Sequence, residues 1–505
     1  DVFAQAAAQD LLPLVGQATV LAMKFDVVAA NPPYMGARSF NFTLKEYLRR
    51  NYDGFEKDLF SAFIANGFHL AKVTGFISIM TSFVWMFISS FERLRQAVIS
   101  ERTLSSLVQL EYDAFEDAKA HICAFVSANT RCPGYVGSFI RLADFKGAVN
   151  QGPKTLEAIR NTSCGWFYKT KVDEFSKIPG SPIAYWIAGY DLFTQYSLKN
   201  YFVSGGRNKT HGNDKYLRYW WEVSIRVEKW VPYANGGDFR KHFGNEESVI
   251  DWSPAARDFY ASNGGLCNPI FWGKEGITWS LITSAITGFR IKRSISQYSS
   301  GSPVIFTEDG KCDFRALGFL NSRVARYFLT ALNPTINTTV NDVFALPYCR
   351  DLVPIAVETN TKKGVEIAEA DWNSQEFSSG FCSFQLLTNE HRRATIQASF
   401  LSHEIAANNA IDSIRALESE SNSLIVEAYG LHNHVSVEVP VEQITLARAD
   451  REKDCKRLIS YVIGCMMGRY TPDEPGLIYA HAGNAGFDAT RYKTFSADAD
   501  GIVPI

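Results

Sequence analysis

The sequence predicts an α/β protein: an open, doubly wound sheet in residues 1–135, an α+β segment in 136–350 and a mainly helical region in 351–505. Three observations carry that prediction. Short β-rich runs alternate with amphipathic ones in the first part, as strand–helix–strand units do. Dense aromatics and glycine turns replace that alternation in the middle. Apolar residues then recur at helical spacing toward the end.

In chain order, Ala4 to Met23 has helical spacing at Leu11, Leu14, Val15 and Leu21. The run Phe25-Asp26-Val27-Val28-Ala29-Ala30 reads as a strand. Asp58-Leu59-Phe60-Ser61-Ala62-Phe63-Ile64 opens an amphipathic helix, and Gly75 to Met80 is the next strand. A helix follows at Phe91 to Arg95, then strand-like runs at Ser105 to Leu110 and Ile122 to Val126. The order favours a largely parallel sheet with an antiparallel edge. Phe125 is expected in the core. Farther on, Leu317 to Ala325 reads as one helix, Gly364 to Trp372 as an interdomain connection, and Ile396 to Leu417 and Arg448 to Met467 as helices.

Length and composition narrow the function classes. A chain of 505 residues is too long for one ordinary core. Its net charge of -2 excludes a uniformly basic coat for nucleic acid, so any such contact needs a local patch. Nine cysteines, with no C-x-x-C pair, argue for reduced thiols rather than disulfides or a zinc site. His432 and His434 stand on a polar stretch and are expected to face solvent, so no metal is expected. The apolar stretch Phe76 to Phe91 contains Ser78, Thr81, Ser82, Ser89 and Ser90 and falls short of the ~20 apolar residues of a membrane span. No membrane association is expected, and with no signal peptide visible the default location is cytoplasmic.

The chemistry concentrates at Asn31-Pro32-Pro33-Tyr34, where the first strand ends. Ligands of open α/β sheets bind beyond the carboxyl ends of strands. Two prolines stiffen the loop and fix the direction of its carbonyls. An amide and an aromatic face at one point suit a flat base bearing an amino group.

This tetrapeptide resembles motif IV of the amino-methyltransferases that use S-adenosyl-L-methionine. The resemblance implies that Asn31 Oδ1 and the Pro32 carbonyl accept hydrogen bonds from the target amino group, and that Tyr34 stacks on an extruded base. It makes residues 1–135 the second half of a Rossmann-like S-adenosylmethionine-dependent methyltransferase domain, from motif IV onward. The Asp58 helix then sits at motif V, where Asp58 and Phe60 would flank the cofactor. Gly75 to Thr81 sits at motif VI, and Ala120 to Val126 resembles motif VIII. No glycine-rich cofactor turn precedes Asn31, and Gly483-Asn484-Ala485-Gly486 is a weak alternative. The chain therefore reads as a piece of a longer polypeptide, cut at both ends.

Between Lys199 and Lys241, nine Lys/Arg face four Asp/Glu, interleaved with Tyr216, Tyr219, Trp220, Trp221, Trp230 and Tyr233. Cations among aromatics suit a phosphate-lined groove. The candidate DNA-binding residues are Arg207, Lys209, Lys215, Arg218, Arg240 and Lys241, with Arg290, Lys292 and Arg293 as a second cluster; Arg226 lies in the same stretch.

Over nearly the whole chain the sequence resembles the adenine-specific DNA methyltransferases of bacteriophage-exclusion (BREX) systems. The carrying segments are Phe25 to Gly36, Asp58 to Ile64, Lys177 to Trp186, Gly236 to Asn245, Gly276 to Trp279, Gly318 to Asn337, Ile459 to Tyr470 and Pro475 to Tyr479. That resemblance implies N6-methylation of adenine in double-stranded host DNA, marking self against phage, with other BREX defence proteins as partners. It makes residues 136–350 a target-recognition domain. A non-catalytic DNA-binding or complex-assembly module is the alternative.

Overall fold

The computed structural model describes residues 2–116, 119–223, 229–283, 286–479, 487–498 and 502. Gly483 to Gly486 and Arg226 lie outside the described residues. The chain divides into two compact units: residues 1–194 with 331–334, and residues 195–330 with 335–505.

The first unit is built on helices α1 (Val2–Ala22), α2 (Phe42–Asn51), α3 (Leu59–Leu70), α4 (Glu92–Ser100) and α5 (Ala148–Arg160). Its strands are β1 (Phe25–Ala30), β2 (Ala71–Ser82), β3 (Thr103–Gln109), β4 (Ile122–Ala128), β5 (Val136–Arg141) and β6 (Phe167–Lys171). They form one sheet in the order β1-β2-β4-β3-β5-β6. The pairs β1–β2 and β3–β5 are parallel, whereas β2–β4, β3–β4 and β5–β6 are antiparallel. The sheet is thus mixed rather than largely parallel. The reason lies between β3 and β4, where the described residues hold no helix to carry a parallel crossover. The sheet also runs past residue 135, so the boundary expected there falls between strands of one sheet.

Helices α3 and α4 cover one face. Phe60, Ile64 and Phe68 of α3 and Leu94 and Val98 of α4 pack on Ile77, Ile79, Leu107, Phe125 and Phe139. Gly67 of α3 faces Ile77 of β2, where a Cβ would make an ordinary contact at 3.5 Å. The opposite face is served by α5, whose Ala158 packs with Ile140 and Leu142. Phe125 is buried against Trp85, as expected of a core residue. Helix α1 differs: Leu11, Leu14, Val15 and Leu21, whose spacing marks the helix, are exposed.

The second unit contains β7 (Leu217–Tyr219), β8 (Trp230–Ala234), β9 (Ser248–Asp251), β10 (Gly276–Trp279), β11 (Phe289–Lys292), β12 (Gln297–Tyr298) and β13 (Val304–Ile305). They form a four-stranded sheet, β12-β8-β9-β7, and a three-stranded one, β11-β10-β13. The long helices Ile355–Asn373, Ile396–Ala428 and Arg451–Met466 follow. Gly364 to Trp372 is no connector. It lies inside the first of these helices, where Gly364 approaches His242 and Trp372 is buried. The single helix expected over Leu317 to Ala325 is two, Phe314–Leu320 and Arg323–Leu332. Asn321 interrupts it because its side-chain amide bonds the backbone of Phe289 as both donor and acceptor. No helix among the described residues is long and apolar enough to cross a membrane.

Candidate active site

Strand β1 is one edge of its sheet, and Val28 and Ala30 turn toward the core beneath α3. Pairing with β2 continues to Ala30↔Ile79 and then ends. It ends because Pro32 and Pro33 have no N–H to continue a ladder. The residue before a proline is also confined to extended backbone. Asn31 therefore leaves the sheet at its carboxyl end with its side chain exposed, while Pro32 is buried and anchors the loop.

Tyr34 is 43% exposed. Its hydroxyl donates toward Asn31 Oδ1 at 3.3 Å and lies 3.5 Å from the Met80 carbonyl of β2. Its ring meets Phe60 edge to face at 6.5 Å, and Phe60 in turn packs on Phe91 at 5.3 Å. Burial raises the Tyr34 pKa, and the buried Cys123 thiol adds to the shift, so the phenol stays a neutral donor. The loop thus presents an amide oxygen, a fixed carbonyl and an accessible aromatic face within a few residues. Such an arrangement can bind an amino-bearing ring and hold its nitrogen between two acceptors.

Asp58 and Phe60 sit at the start of α3. The Asp58 carboxylate caps α3 through Phe60 N at 3.3 Å and accepts from Met35 N at 3.1 Å. Phe60 is 1% exposed and belongs to the core. The tie between Met35 and Asp58 carried no sequence signal beyond an Asp placed to cap a helix.

The basic candidates divide sharply. Arg207, Lys209 and Lys215 are exposed. Arg218 is half-buried and donates to the Asp214 and Leu217 carbonyls. Arg240 lies over the Trp372 ring at 4.7 Å and pairs with Asp371 at 3.4 Å. Lys241 is buried in an ion pair with Glu418, whose other oxygen meets His242 Nε2 at 3.0 Å. Burial acts to raise the Glu418 pKa, but the Lys241 ammonium and the His242 hydrogen bond bring it below its ordinary value. Arg290 and Lys292 are each 1% exposed. Burial lowers their pKa values to about 10 and about 8. Lys292 donates to the Lys274 carbonyl at 2.7 Å. Arg293 binds the Glu246 carboxylate. Lys241, Arg290 and Lys292 are therefore interior groups, and the DNA-facing role read for them is corrected: a phosphate cannot reach a cation enclosed with its own partners.

Among the aromatics of this stretch, Tyr219 is 48% exposed and stacks on Trp221 with ring centroids 4.6 Å apart. Trp220 is buried and donates to the Phe377 carbonyl. His432 and His434 face solvent, and no cluster able to hold a metal occurs among the described residues.

Residues 5–115 match the family model of the Eco57I restriction-modification methylases. More particularly, the chain is a homologue of named adenine-specific methyltransferases along nearly all of its length. It is 32% identical over 526 residues to PglX of Lacticaseibacillus casei (strain Zhang), covering 98% of this chain and 43% of the relative. It is 31% identical over 539 residues to BrxX of Escherichia coli O9:H4 (strain HS), covering 100% of this chain and 44% of that protein. The chain thus spans less than half the length of these relatives. Among solved structures, it is similar to the Type IIL restriction-modification enzyme MmeI in complex with DNA, with a TM-score of 0.47 and 9% identity over 86% of this chain and 56% of that one.

Proposed function

We propose that this chain supplies the target-binding end of an adenine-specific DNA methyltransferase that modifies N6 of a flipped adenine. The observation that carries the reading is the exposed Asn31 and Tyr34 at the carboxyl end of β1, beside a rigid Pro-Pro backbone. In this reading Asn31 Oδ1 and the Pro32 carbonyl accept the two amino hydrogens. Both acceptors lie on one side of the nitrogen, so its lone pair turns out of conjugation with the ring and becomes nucleophilic. Pro33 keeps the loop from relaxing, and Tyr34 stacks on the extruded base. The Tyr34 hydroxyl occupies Asn31 Oδ1 in the structure and gives way to the incoming amino group.

The methyl donor in this reading is S-adenosyl-L-methionine, which supplies an electrophilic methyl group. Asp58 and Phe60, read from the sequence as flanking that cofactor, are assigned no step in the transfer. The exposed cations Arg207, Lys209 and Lys215 support contact with DNA phosphates. Similarity to PglX and BrxX supports host-DNA marking in a BREX phage-defence system, alongside other proteins of that system.

The test is Asn31→Ala in the intact protein. Methyl transfer to DNA should be lost, with the Kd for DNA within about twofold of the unaltered protein, as for a group whose bonds matter to the reaction rather than to docking. Undiminished methylation in that variant would overturn the assignment.

A further inference from the structure

The loop that carries Asn31 and Tyr34 has two ends, and they are held differently. The incoming end is part of β1 and is fixed by pairing with β2. The outgoing end belongs to no sheet. It is instead fastened to the start of α3 by a compact set of bonds. Leu59 N donates to the Met35 carbonyl at 2.9 Å, and Ala37 N to the Lys57 carbonyl at 3.0 Å. Gly36 and Asp58 form an isolated antiparallel bridge. One oxygen of the Asp58 carboxylate accepts both from Met35 N, the residue after Tyr34, and from Phe60 N in the first turn of α3. The next residue of that turn to touch the loop is Phe60 itself, whose ring meets Tyr34.

We infer that Asp58 is a positioning residue: its carboxylate latches the outgoing end of the Asn31–Tyr34 loop to helix α3 and so fixes where Tyr34 stands relative to Asn31. The inference rests on the amino-acceptor reading of that loop and is separate from the cofactor role read for Asp58 from the sequence. The geometry uses the carboxylate as an acceptor of two backbone N–H groups, with no cationic side chain as partner among the described residues. An amide oxygen can take the same place. Burial raises the Asp58 pKa against the opposing pull of the Phe60 and Met35 hydrogen bonds, so its negative charge is itself a cost that an amide would not bear.

The experiment compares Asp58→Ala and Asp58→Asn in the intact protein, with two readouts. The first is amide hydrogen exchange of peptides spanning residues 33–38. Asp58→Ala should accelerate exchange there and leave β1 protected, and Asp58→Asn should restore the original rate. The second is methylation kinetics. Asp58→Ala should lower kcat by about tenfold or more with the KM for S-adenosylmethionine within about twofold, and Asp58→Asn should recover most of the loss. Unchanged exchange in Asp58→Ala would overturn the latch. A raised cofactor KM with kcat retained would return Asp58 to the cofactor, and an Asp58→Asn variant as impaired as Asp58→Ala would show that charge, not acceptor geometry, matters. If the unaltered protein transfers no methyl group at all, the functional reading fails, while the exchange comparison still decides the latch.

Discussion

The Asn31–Tyr34 loop and the basic, aromatic stretch from Lys199 to Arg293 were both read from side-chain type and spacing, and they came out differently. At the loop the backbone does the selecting. A strand that meets two prolines has to stop, and what stops there is exposed at the sheet's carboxyl end. In the basic stretch nothing in the local sequence tells a surface cation from a buried one. Lys241 finds Glu418 and Arg240 finds Asp371, partners more than a hundred residues away. Arg207, Lys209 and Lys215 stay exposed in the same compositional texture. Where a strand ends at two prolines is thus legible in the local sequence, whereas the exposure of a cation depends on where folding leaves it.

Variants at each region can break this contrast. The largest effect belongs to the loop. Asn31→Asp keeps an acceptor oxygen where Asn31→Ala keeps none, so Asp should retain measurable methylation while Ala has none. Equal loss in both would mean that more than an acceptor is required.

Next comes the buried pair. Lys241→Met leaves the Glu418 carboxylate enclosed without its cation and should cost about 3–5 kcal/mol of stability in urea unfolding. The salt dependence of DNA binding should not change. Because the folded-state pKa of Glu418 lies below its ordinary value, the pair's contribution is present above that ordinary value and is lost as pH falls through the folded one. The variant's stability should therefore fall less steeply in acid. A flattened DNA salt slope in Lys241→Met would place Lys241 on the surface after all.

Tyr34→Ala should weaken handling of an extruded base by ~1–3 kcal/mol, the worth of one stacking contact. Tyr34→Phe keeps the ring and loses only the hydroxyl on Asn31, so it should do less harm. Turnover at limiting DNA separates the two, and an unaffected Tyr34→Ala would remove the stacking role. The smallest effect is at Lys209. Lys209→Ala should reduce the slope of log K against log salt by ~0.9, one phosphate contact, with thermal stability unchanged. An unaltered slope would exclude Lys209 as a phosphate contact.

Much of the first unit was legible because its signals are local. The strand at Phe25, the helix capped by Asp58 and the strand through Ile77 and Ile79 all lie where periodicity and capping put them. The antiparallel placement of β4 was not legible, because strand direction depends on what the intervening residues do rather than on the strand itself. Helix α1 has the spacing of a core helix yet exposes Leu11, Leu14, Val15 and Leu21, since periodicity reports a face and not what covers it. Gly364 to Trp372 was read as a connection, but it lies inside a helix in which Gly364 is buried beside His242. The Asp58 latch joins residues separated by a loop and a short helix, and only the folded backbone brings Met35 N to its carboxylate.

The central claim is that one amide oxygen and one carbonyl grip an adenine nitrogen at the end of β1. The most direct measurement is the structure of the intact protein bound to DNA containing its target adenine. The account predicts adenine N6 within hydrogen-bonding reach of both Asn31 Oδ1 and the Pro32 carbonyl, with the base against Tyr34. An adenine still stacked in the duplex, or extruded to a place without Asn31, would contradict it.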